Sequence, residues 1–395
     1  MIEFDREARE LFPYTQSLRR DFHRHPELGF REFRTAEIIT SELTKLGFEV
    51  RTGVAETGVI AILEGEKPGP VILIRADMDA LPITEETNAE YASEIPGIMH
   101  ACGHDGHSAI LLTVAKLLHA HQDEIQGTIK LIFQPAEEGL GGAERMIIDG
   151  VLTEPKPDLT LALHLWNDQP IGWIGISQGS SMAGAEIFKI KIRGKGGHGA
   201  APHLANDPIL ASAYIITALQ SITSRNIPPL KSAVVSVCTI NGGEAFNVIP
   251  QEVKLAGTIR TFDPEVREKV LERFDVIVYG VAETMGCQAD IEINRLTPAV
   301  INHPKLAARV QKVAQNLYPN SIIDDSNYIT MGSEDMAFLM EQIPGCFFFV
   351  GSANSEKNLD ASHHHPRFDF DEEAMPSAVS IMAATVMDLL KNPLD

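Results

Sequence analysis

The chain has 395 residues, with 33 basic and 54 acidic side chains, a formal net charge of -21 and four cysteines. This length predicts two domains. The negative charge disfavours nucleic acid and anionic membranes as partners, and scattered cysteines without a CxxC pair support neither a disulfide framework nor a cysteine-only zinc site. The N-terminal segment lacks the apolar region of a signal peptide, and no stretch approaches eighteen apolar residues, so we expect a cytoplasmic protein.

The first half of the chain alternates between helical and strand-like patterns. Residues 5–50 predict two helices, and the second, over 35–46, ends before Gly47, a residue typical of a helix C-terminus. An amphipathic helix is predicted over 108–121. Because strands alternate with helices, an α/β domain is indicated. The strands are predicted from short apolar runs at 59–63, 71–74, 128–133 and 159–166.

A separate unit is predicted after a glycine-punctuated segment that ends near residue 185. Its order of elements is βαββαβ, the ferredoxin-like pattern. After residue 298 the helical period returns over 305–317 and 372–391, with a buried strand at 346–350. We therefore predict a two-domain α/β protein. A catalytic domain with a mixed sheet flanked by helices comprises residues 1–184 and 296–395, interrupted by a ferredoxin-like lid and dimerisation domain at 185–295. The elements of that inserted domain are strands 186–193, 233–240, 252–261 and 288–294 and helices 208–223 and 264–285.

The run HACGHDGH at residues 100–107 and the run QPAEE at 134–138 combine thiol, imidazole and carboxylate groups. This is the ligand set that borderline divalent metals such as zinc prefer. Cys102 and His104 are expected on the loop entering a helix, where the helix dipole favours a thiolate. Glu137 and Glu138 follow a predicted strand, at the edge where α/β sheets bind ligands. A metal that only holds the fold is the alternative, but adjacent glutamates favour a catalytic site.

The remaining histidines carry weaker signals. His164 lies in an apolar strand and, taken alone, is more typical of a core histidine than of a ligand. The triple histidine at 363–365 precedes Pro366 and could equally be solvated. No independent signal distinguishes His23, His25, His100 and His119 from ordinary structural histidines.

At the level of ordered motifs, the chain resembles the metal-dependent aminoacylase and carboxypeptidase family that includes hippurate hydrolases and plant auxin-conjugate hydrolases. The resemblance spans nearly the whole length and implies the fold expected above, a catalytic α/β domain with an inserted ferredoxin-like domain that often dimerises. Besides the two runs already quoted, the motifs are HRHPEL at 23–28, RADMDALP at 75–82, GGHG at 196–199, NVIP at 247–250, GSED at 332–335 and HHPRFD at 364–369.

The resemblance implies a dinuclear site for divalent metal, with zinc, manganese, cobalt or nickel as candidates. It assigns Glu137 as the general acid/base and leaves Glu138 as a ligand. Asp77 stands where the wider superfamily has a metal-binding histidine, and Cys102 stands where others have a bridging aspartate. We expect Asp79 and Asp105 to orient ligand histidines, although Asp105 could equally cap backbone N–H groups. The implied metal ligands are Cys102, His104, Glu138, His164 and His364.

The implied reaction is hydrolysis of the amide of an N-acyl amino acid, or of a short peptide with a free carboxylate. The family adds His198, which reaches the site from a partner subunit and stabilises the oxyanion, and Asn247 as a substrate contact. An acidic protein that binds an anionic substrate needs local positive charge, and the forked guanidinium of Arg260 suits a carboxylate. A surface ion pair is the alternative for Arg260.

Other functions compete with this interpretation. Within the class, carboxypeptidase activity or deacetylation of N-acetyl-diaminopimelate are the alternatives. A thiol hydrolase would use Cys102 as the nucleophile, activated by His104 or His107, and a non-catalytic metal-binding protein would use the inserted domain for interaction. We expect a homodimer or homotetramer assembled through the inserted domain, with neither nucleic acid nor membrane as a partner.

Overall fold

The computed structural model describes residues 2–325 and 328–394. These residues form ten α-helices and sixteen strands. The helices are α1 (Phe4–Glu10), α2 (Phe12–Arg24), α3 (Phe33–Lys45), α4 (His104–Ala120), α5 (Gly142–Ile148), α6 (Pro208–Ser221), α7 (Pro264–Thr284), α8 (Pro304–Leu317), α9 (Met336–Gln342) and α10 (Met375–Lys391). The strands are β1 (Glu49–Val54), β2 (Gly58–Glu64), β3 (Lys67–Asp77), β4 (Gln126–Gln134), β5 (Leu159–Pro170), β6 (Trp173–Gly175), β7 (Ser180–Met182), β8 (Gly184–Arg193), β9 (Gly197–His198), β10 (Ala233–Asn241), β11 (Val248–Ile249), β12 (Glu252–Thr261), β13 (Gln288–Thr297), β14 (Val300–Ile301), β15 (Ile322–Asp324) and β16 (Gly345–Ala353).

Two compact units divide the chain. The first comprises Met1–Ser181, Ile301–Ile329 and Asp335–Asp395. Its eight-stranded sheet has the order β1-β2-β4-β3-β5-β16-β6-β15. The central strands β4, β3, β5 and β16 run parallel, whereas β1, β2 and β4 pair antiparallel. Strands that are buried on both faces have continuous apolar runs in their sequences. Such runs predicted β4, β5 and β16 from the sequence. The predicted mixed sheet flanked by helices is confirmed.

Helix α10 forms part of the core of this first unit. Together with the short 3-10 turn Glu372–Ala374 it is long and apolar enough to cross a membrane by length and composition. However, 83% of its most apolar window is buried inside the protein, where it packs against α4 and α8. Such burial is typical of the core helix of a globular domain.

The second unit comprises Met182–Val300 and Thr330–Glu334. Its four-stranded antiparallel sheet has the order β10-β12-β8-β13, and α6 and α7 pack on it. Along β12 buried side chains alternate with more exposed ones because only one face contacts the helices. Asp207 and Asp263 begin the two helices by accepting hydrogen bonds from backbone N–H groups of the first turn. The predicted ferredoxin-like βαββαβ arrangement is confirmed.

Two local predictions were wrong. The segment 5–50 contains three helices rather than two and ends in strand β1, because Pro13 occupies the first turn of a new helix, where its missing N–H costs nothing. Helix α4 begins at His104 rather than near residue 108. Gly103, with φ of 94°, turns the chain into the helix, and the polar side chains of the first turn hid this start from the apolar pattern.

Candidate metal centre

The centre lies in the first unit, at the carboxyl ends of parallel strands. Asp77 ends β3 and Gln134 ends β4, and these two residues are opposite each other in the strand register. His164 lies in β5, the neighbour of β3 on its other side. Parallel strands direct their carboxyl ends to one edge, so side chains far apart in the sequence converge there.

The five predicted ligands and the predicted base form one continuous cluster. Within each of three overlapping groups, the candidate ligand atoms lie within 4.8 Å of one another. Because the groups share members, they link all six residues around one space. The groups are Cys102, His104 and His164; Cys102, Glu138 and His364; and His104, Glu137 and Glu138.

The nitrogen atoms of the cluster fit a metal. The buried Nε2 of His104 has no hydrogen-bond partner among the described residues, while its Nδ1 lies 2.9 Å from the backbone oxygen of Asp79. In His164, Nδ1 contacts the backbone oxygen of Leu165 at 2.6 Å, and Nε2 faces the sulfur of Cys102 at 3.6 Å. An imidazole whose Nδ1 is held by a carbonyl presents Nε2 as a metal ligand. The donor set therefore fits a borderline divalent cation.

The electrostatics of the cluster also favour a cation. Burial and the carboxylate of Glu138 hold the pKa of the Cys102 thiol well above its ordinary value. We expected a lowered pKa at this helix start, so burial outweighs the helix dipole. Burial opposes a charged His104, but nearby groups, chiefly the carboxylate of Asp77, outweigh it and raise the pKa of His104. A bound cation would compensate this negative charge and keep the thiol deprotonated.

The three consecutive histidines serve different purposes. His364 adopts a left-handed backbone with φ of 65°, and its Nε2 lies 3.1 Å from Oε1 of Glu138. His363 contacts the backbone oxygen of Leu165 through Nε2 at 3.1 Å, and burial lowers its pKa to about 4. In His365, Nδ1 accepts a hydrogen bond from a backbone N–H. Of the three, His364 is the one that faces the cluster.

His107 ends the HACGHDGH run, but sequence reasoning gave it a role only as a possible activator of Cys102 and none in the metal site. Its Nδ1 lies 2.7 Å from Oδ1 of Asp77, and its Nε2 accepts a hydrogen bond from the backbone N–H of Leu165 at 2.9 Å. Through these two contacts His107 connects helix α4 to strands β3 and β5. Its spacing of three from His104, which puts both on one face of α4, was the available signal.

A buried arginine connects the strand ends to the predicted base. Arg75 donates hydrogen bonds to Asp77 at 2.6 Å, to Oε1 of Gln134 at 2.9 Å and to Asp335 at 3.2 Å. The backbone N–H of Asp335 in turn points at Oε1 of Glu137 over 3.4 Å. Asp335, the last residue of the GSED motif, thus connects Arg75 to the predicted base Glu137.

The two aspartates expected to orient ligands differ in what they contact. Asp79 accepts from the Glu138 backbone N–H at 3.1 Å and lies 3.1 Å from Nδ1 of His104, so it touches two predicted ligands. The carboxylate of Asp105 instead contacts Arg19 and His23, each at 2.8 Å. Among the described residues, Asp105 therefore contacts neither a predicted ligand histidine, as we expected, nor a backbone N–H group, as in the alternative. It contacts two other buried side chains.

Arg19 and His23 belong to a buried ionic network next to the start of α4. The side chain of Arg19 is wholly buried and also pairs with Asp369 at 2.6 Å and Glu372 at 3.2 Å. Burial and Arg19 oppose protonation of His23, but nearby carboxylates, chiefly Asp105, outweigh them and raise the pKa of His23 to about 9. Sequence reasoning left His23 without a role, because nothing local reveals its partners.

The three predicted residues of the second unit occupy two places within that unit. His198 and Asn247 lie together, since β9 pairs with β11 and the Gly199 N–H donates to the backbone oxygen of Asn247 at 2.8 Å. Arg260 lies on β12, half-buried, and donates to the hydroxyl of Thr258. Its guanidinium also contacts the backbone oxygen of Ile259, and neither of these contacts is the surface ion pair weighed as the alternative.

An α/β domain with a cysteine, histidine and glutamate cluster at its strand ends, plus an inserted ferredoxin-like domain, defines a metal-dependent hydrolase. The profile of peptidase family M20/M25/M40 matches residues 73–388, and the chain belongs to this family.

Similarity to individual proteins extends over nearly the whole chain. The chain is 41% identical to an N-acetyl-L-cysteine deacetylase of Bacillus subtilis, over 94% of this chain and 87% of that protein. It is 38% identical to IAA-amino acid hydrolase ILR1-like 4 of Arabidopsis thaliana, over 95% and 85%. The crystal structure of Bacillus subtilis YxeP, a dinuclear metal-binding peptidase, superposes with a TM-score of 0.85 at 36% identity, covering 97% of this chain and 99% of that one. The resemblance seen in the motifs is confirmed.

Proposed function

We propose that this hydrolase cleaves the amide bond of N-acyl amino acids, such as N-acetyl or N-benzoyl amino acids, or of short peptides with a free carboxylate. The convergence of five candidate ligands with Glu137 in one cluster carries the proposal. Relatives named as deacetylase and amino acid hydrolase support an N-acyl substrate. The raised pKa of the Cys102 thiol argues against a thiol nucleophile.

In the proposed mechanism Cys102, His104, Glu138, His164 and His364 would hold two divalent ions, an assignment supported by the dinuclear relative. Such ions lower the pKa of water to about 7 and so supply a nucleophile at neutral pH. Glu137 would take the proton of the attacking water and deliver it to the leaving amine. Asp79 would orient His104.

The inserted domain would contribute the substrate contacts. His198 would donate a hydrogen bond to the oxyanion from a partner subunit, and Asn247 beside it would contact the substrate. We propose a homodimer or homotetramer assembled through this domain, which presents fully exposed Leu230 and Phe246. A cytoplasmic location is proposed as well, supported by four cysteines that are all free.

Removal and return of metal test the function directly. We expect chelated protein to be inactive on N-acetyl, N-benzoyl and dipeptide substrates, and activity to return with zinc, manganese, cobalt or nickel, because water is a poor nucleophile without the ion. Initial rates for each substrate and metal measure this and begin to identify the acyl group. Stoichiometric metal binding without cleavage of any substrate would contradict the proposal, and chelator-resistant activity that alkylation destroys would favour Cys102 as nucleophile.

Arg260 provides a test of carboxylate binding. Arg260→Ala is expected to raise KM about tenfold or more with a smaller change in kcat, since a charge-assisted hydrogen bond contributes roughly 1.5–3 kcal/mol. Arg193→Ala is the matched control, because Arg193 lies on the same sheet but forms exposed ion pairs with Glu252 and Asp290. An unchanged KM in Arg260→Ala would remove Arg260 from the substrate site.

A further inference from the structure

We propose that Glu32, in the segment that follows the HRHPEL motif, is a positioning residue for Glu137 and acts through the backbone N–H of Ala136. The inference rests on the proposed role of Glu137 as general acid/base. Glu32 lies outside the metal cluster and more than a hundred positions before the base in the sequence. None of the roles considered above uses it.

The residue immediately before Glu137 has an unfavourable backbone conformation. Ala136 is fully buried and has φ of 55°, in the left-handed region that residues with a side chain rarely adopt. Such a conformation persists only where surrounding contacts determine it. The Ala136 N–H donates to Oε1 of Glu32 at 2.9 Å, and its carbonyl accepts from the N–H of Gly142 at 3.1 Å. The direction of the chain entering Glu137 therefore depends on these contacts.

The surrounding packing leaves this turn little freedom. A Cβ added at Gly29 would lie 3.0 Å from Cα of Ala136, and one added at Gly142 would lie 1.7 Å from the carbonyl oxygen of Pro135. Both glycines are therefore places where another backbone approaches closely. The segment that carries Gly29 and Glu32 thus packs directly on the turn that carries the base.

The residues before and after Glu137 each donate a backbone hydrogen bond to a buried carboxylate. On one side Glu32 accepts the N–H of Ala136, and on the other Asp79 accepts the N–H of Glu138 at 3.1 Å. Asp79 belongs to the metal cluster through its contact with His104. Glu32 provides the second contact, at the residue that precedes the base in the chain.

The side chain of Glu32 is fixed by its own contacts, and its burial is unfavourable for the stability of the fold when the carboxyl is ionised. It is fully buried, and its Oε2 accepts from the hydroxyl of Thr57 at 2.6 Å. Burial raises the pKa of Glu32 to about 7, so the fold opposes its ionisation. A glutamine could accept from Ala136 and donate to Thr57 without any charge. The proposal therefore predicts that the hydrogen bond, and not the charge, is what the base requires.

Two substitutions at residue 32 separate these contributions. Glu32→Ala removes the acceptor and is expected to lower kcat about 100-fold, because small misplacements of catalytic groups cost about that much. KM and metal stoichiometry should stay within twofold of wild type. Glu32→Gln should retain kcat within about threefold. Thr35→Val is the matched control, since it removes a buried hydroxyl that contacts Glu27 in the same segment but touches neither Glu32 nor Ala136.

Hydrogen exchange of the Ala136 amide, resolved by fragmentation mass spectrometry on metal-free protein, gives a second readout that needs no activity. We expect at least tenfold faster exchange in Glu32→Ala and wild-type exchange in Glu32→Gln and Thr35→Val. Unchanged exchange in Glu32→Ala, equal kcat losses in the alanine and glutamine variants, or an equal loss in Thr35→Val would each overturn the proposal. If wild-type protein cleaves no substrate, the proposed function fails, and the exchange rates alone decide the role of Glu32.

Discussion

Glu137→Gln is expected to retain metal and lose nearly all turnover, with kcat lower by roughly 10²–10⁴-fold. Glutamine has almost the shape of glutamate and can keep the contact to the Asp335 N–H, which spans 3.4 Å in the wild type. Its amide, however, cannot take a proton from water at neutral pH. Steady-state rates at saturating substrate, together with metal content measured by atomic emission, test this expectation.

The neighbouring glutamate is the control for this experiment. Glu138 lies in groups of candidate ligands with Cys102 and His364 and with His104 and Glu137. Glu138→Gln should therefore weaken metal binding, and part of its loss of rate should be recovered at high metal concentration. A near-normal rate for Glu137→Gln, or loss of metal equal to that in Glu138→Gln, would contradict the division of roles between the two residues.

Arg19→Met is expected to destabilise the protein by about 3–5 kcal/mol, because removing one partner leaves buried carboxylates without compensation. The side chains of Arg19 and Asp105 are both 0% exposed, and Asp369 and Glu372 complete the network. The guanidinium also lies over the rings of Tyr91 and Phe370, so its packing is lost as well. Chemical denaturation of the metal-free protein at pH 7 measures the change in the free energy of unfolding.

Arg20→Met is the matched control for this charge removal. Arg20 pairs with the same Glu372, but its side chain is 34% exposed. An exposed ion pair contributes about 0–1 kcal/mol, so this variant should remain close to wild type. If Arg19→Met lowers the free energy of unfolding no more than Arg20→Met does, the buried network does not stabilise the fold as proposed.

The destabilisation caused by Arg19→Met is expected to decrease as pH falls. Burial raises the pKa of Asp105, but Arg19 and His23 outweigh it and hold the pKa well below its usual range. A depressed acid pKa stabilises the folded protein above the unfolded value, about 3.9, and this contribution is lost as pH falls towards the folded value. The difference in the free energy of unfolding between wild type and Arg19→Met should therefore be largest near pH 7 and become smaller below about pH 4.

Local patterns were enough to predict the inserted domain and the chemistry of the site. The strand predicted over 252–261 is β12, Glu252–Thr261. It was predictable because successive side chains of a strand point to opposite faces, which gives neighbouring residues an alternating pattern. The thiol, imidazole and carboxylate groups of the two central runs indicated metal chemistry from residue types alone. In both cases the informative residues lie within a few positions of one another.

The tertiary structure alone decided how the site is supported. Arg19 meets Asp105 across 86 positions, and Glu32 meets Ala136 across 104. Neither contact has a local signature, because each depends on where loops return the chain. The start of α4 at His104 likewise depends on burial of its polar first turn. Residue types and short-range periodicity are properties of the sequence itself, whereas the pairing of buried charges and the left-handed turn before Glu137 exist only once distant segments pack together.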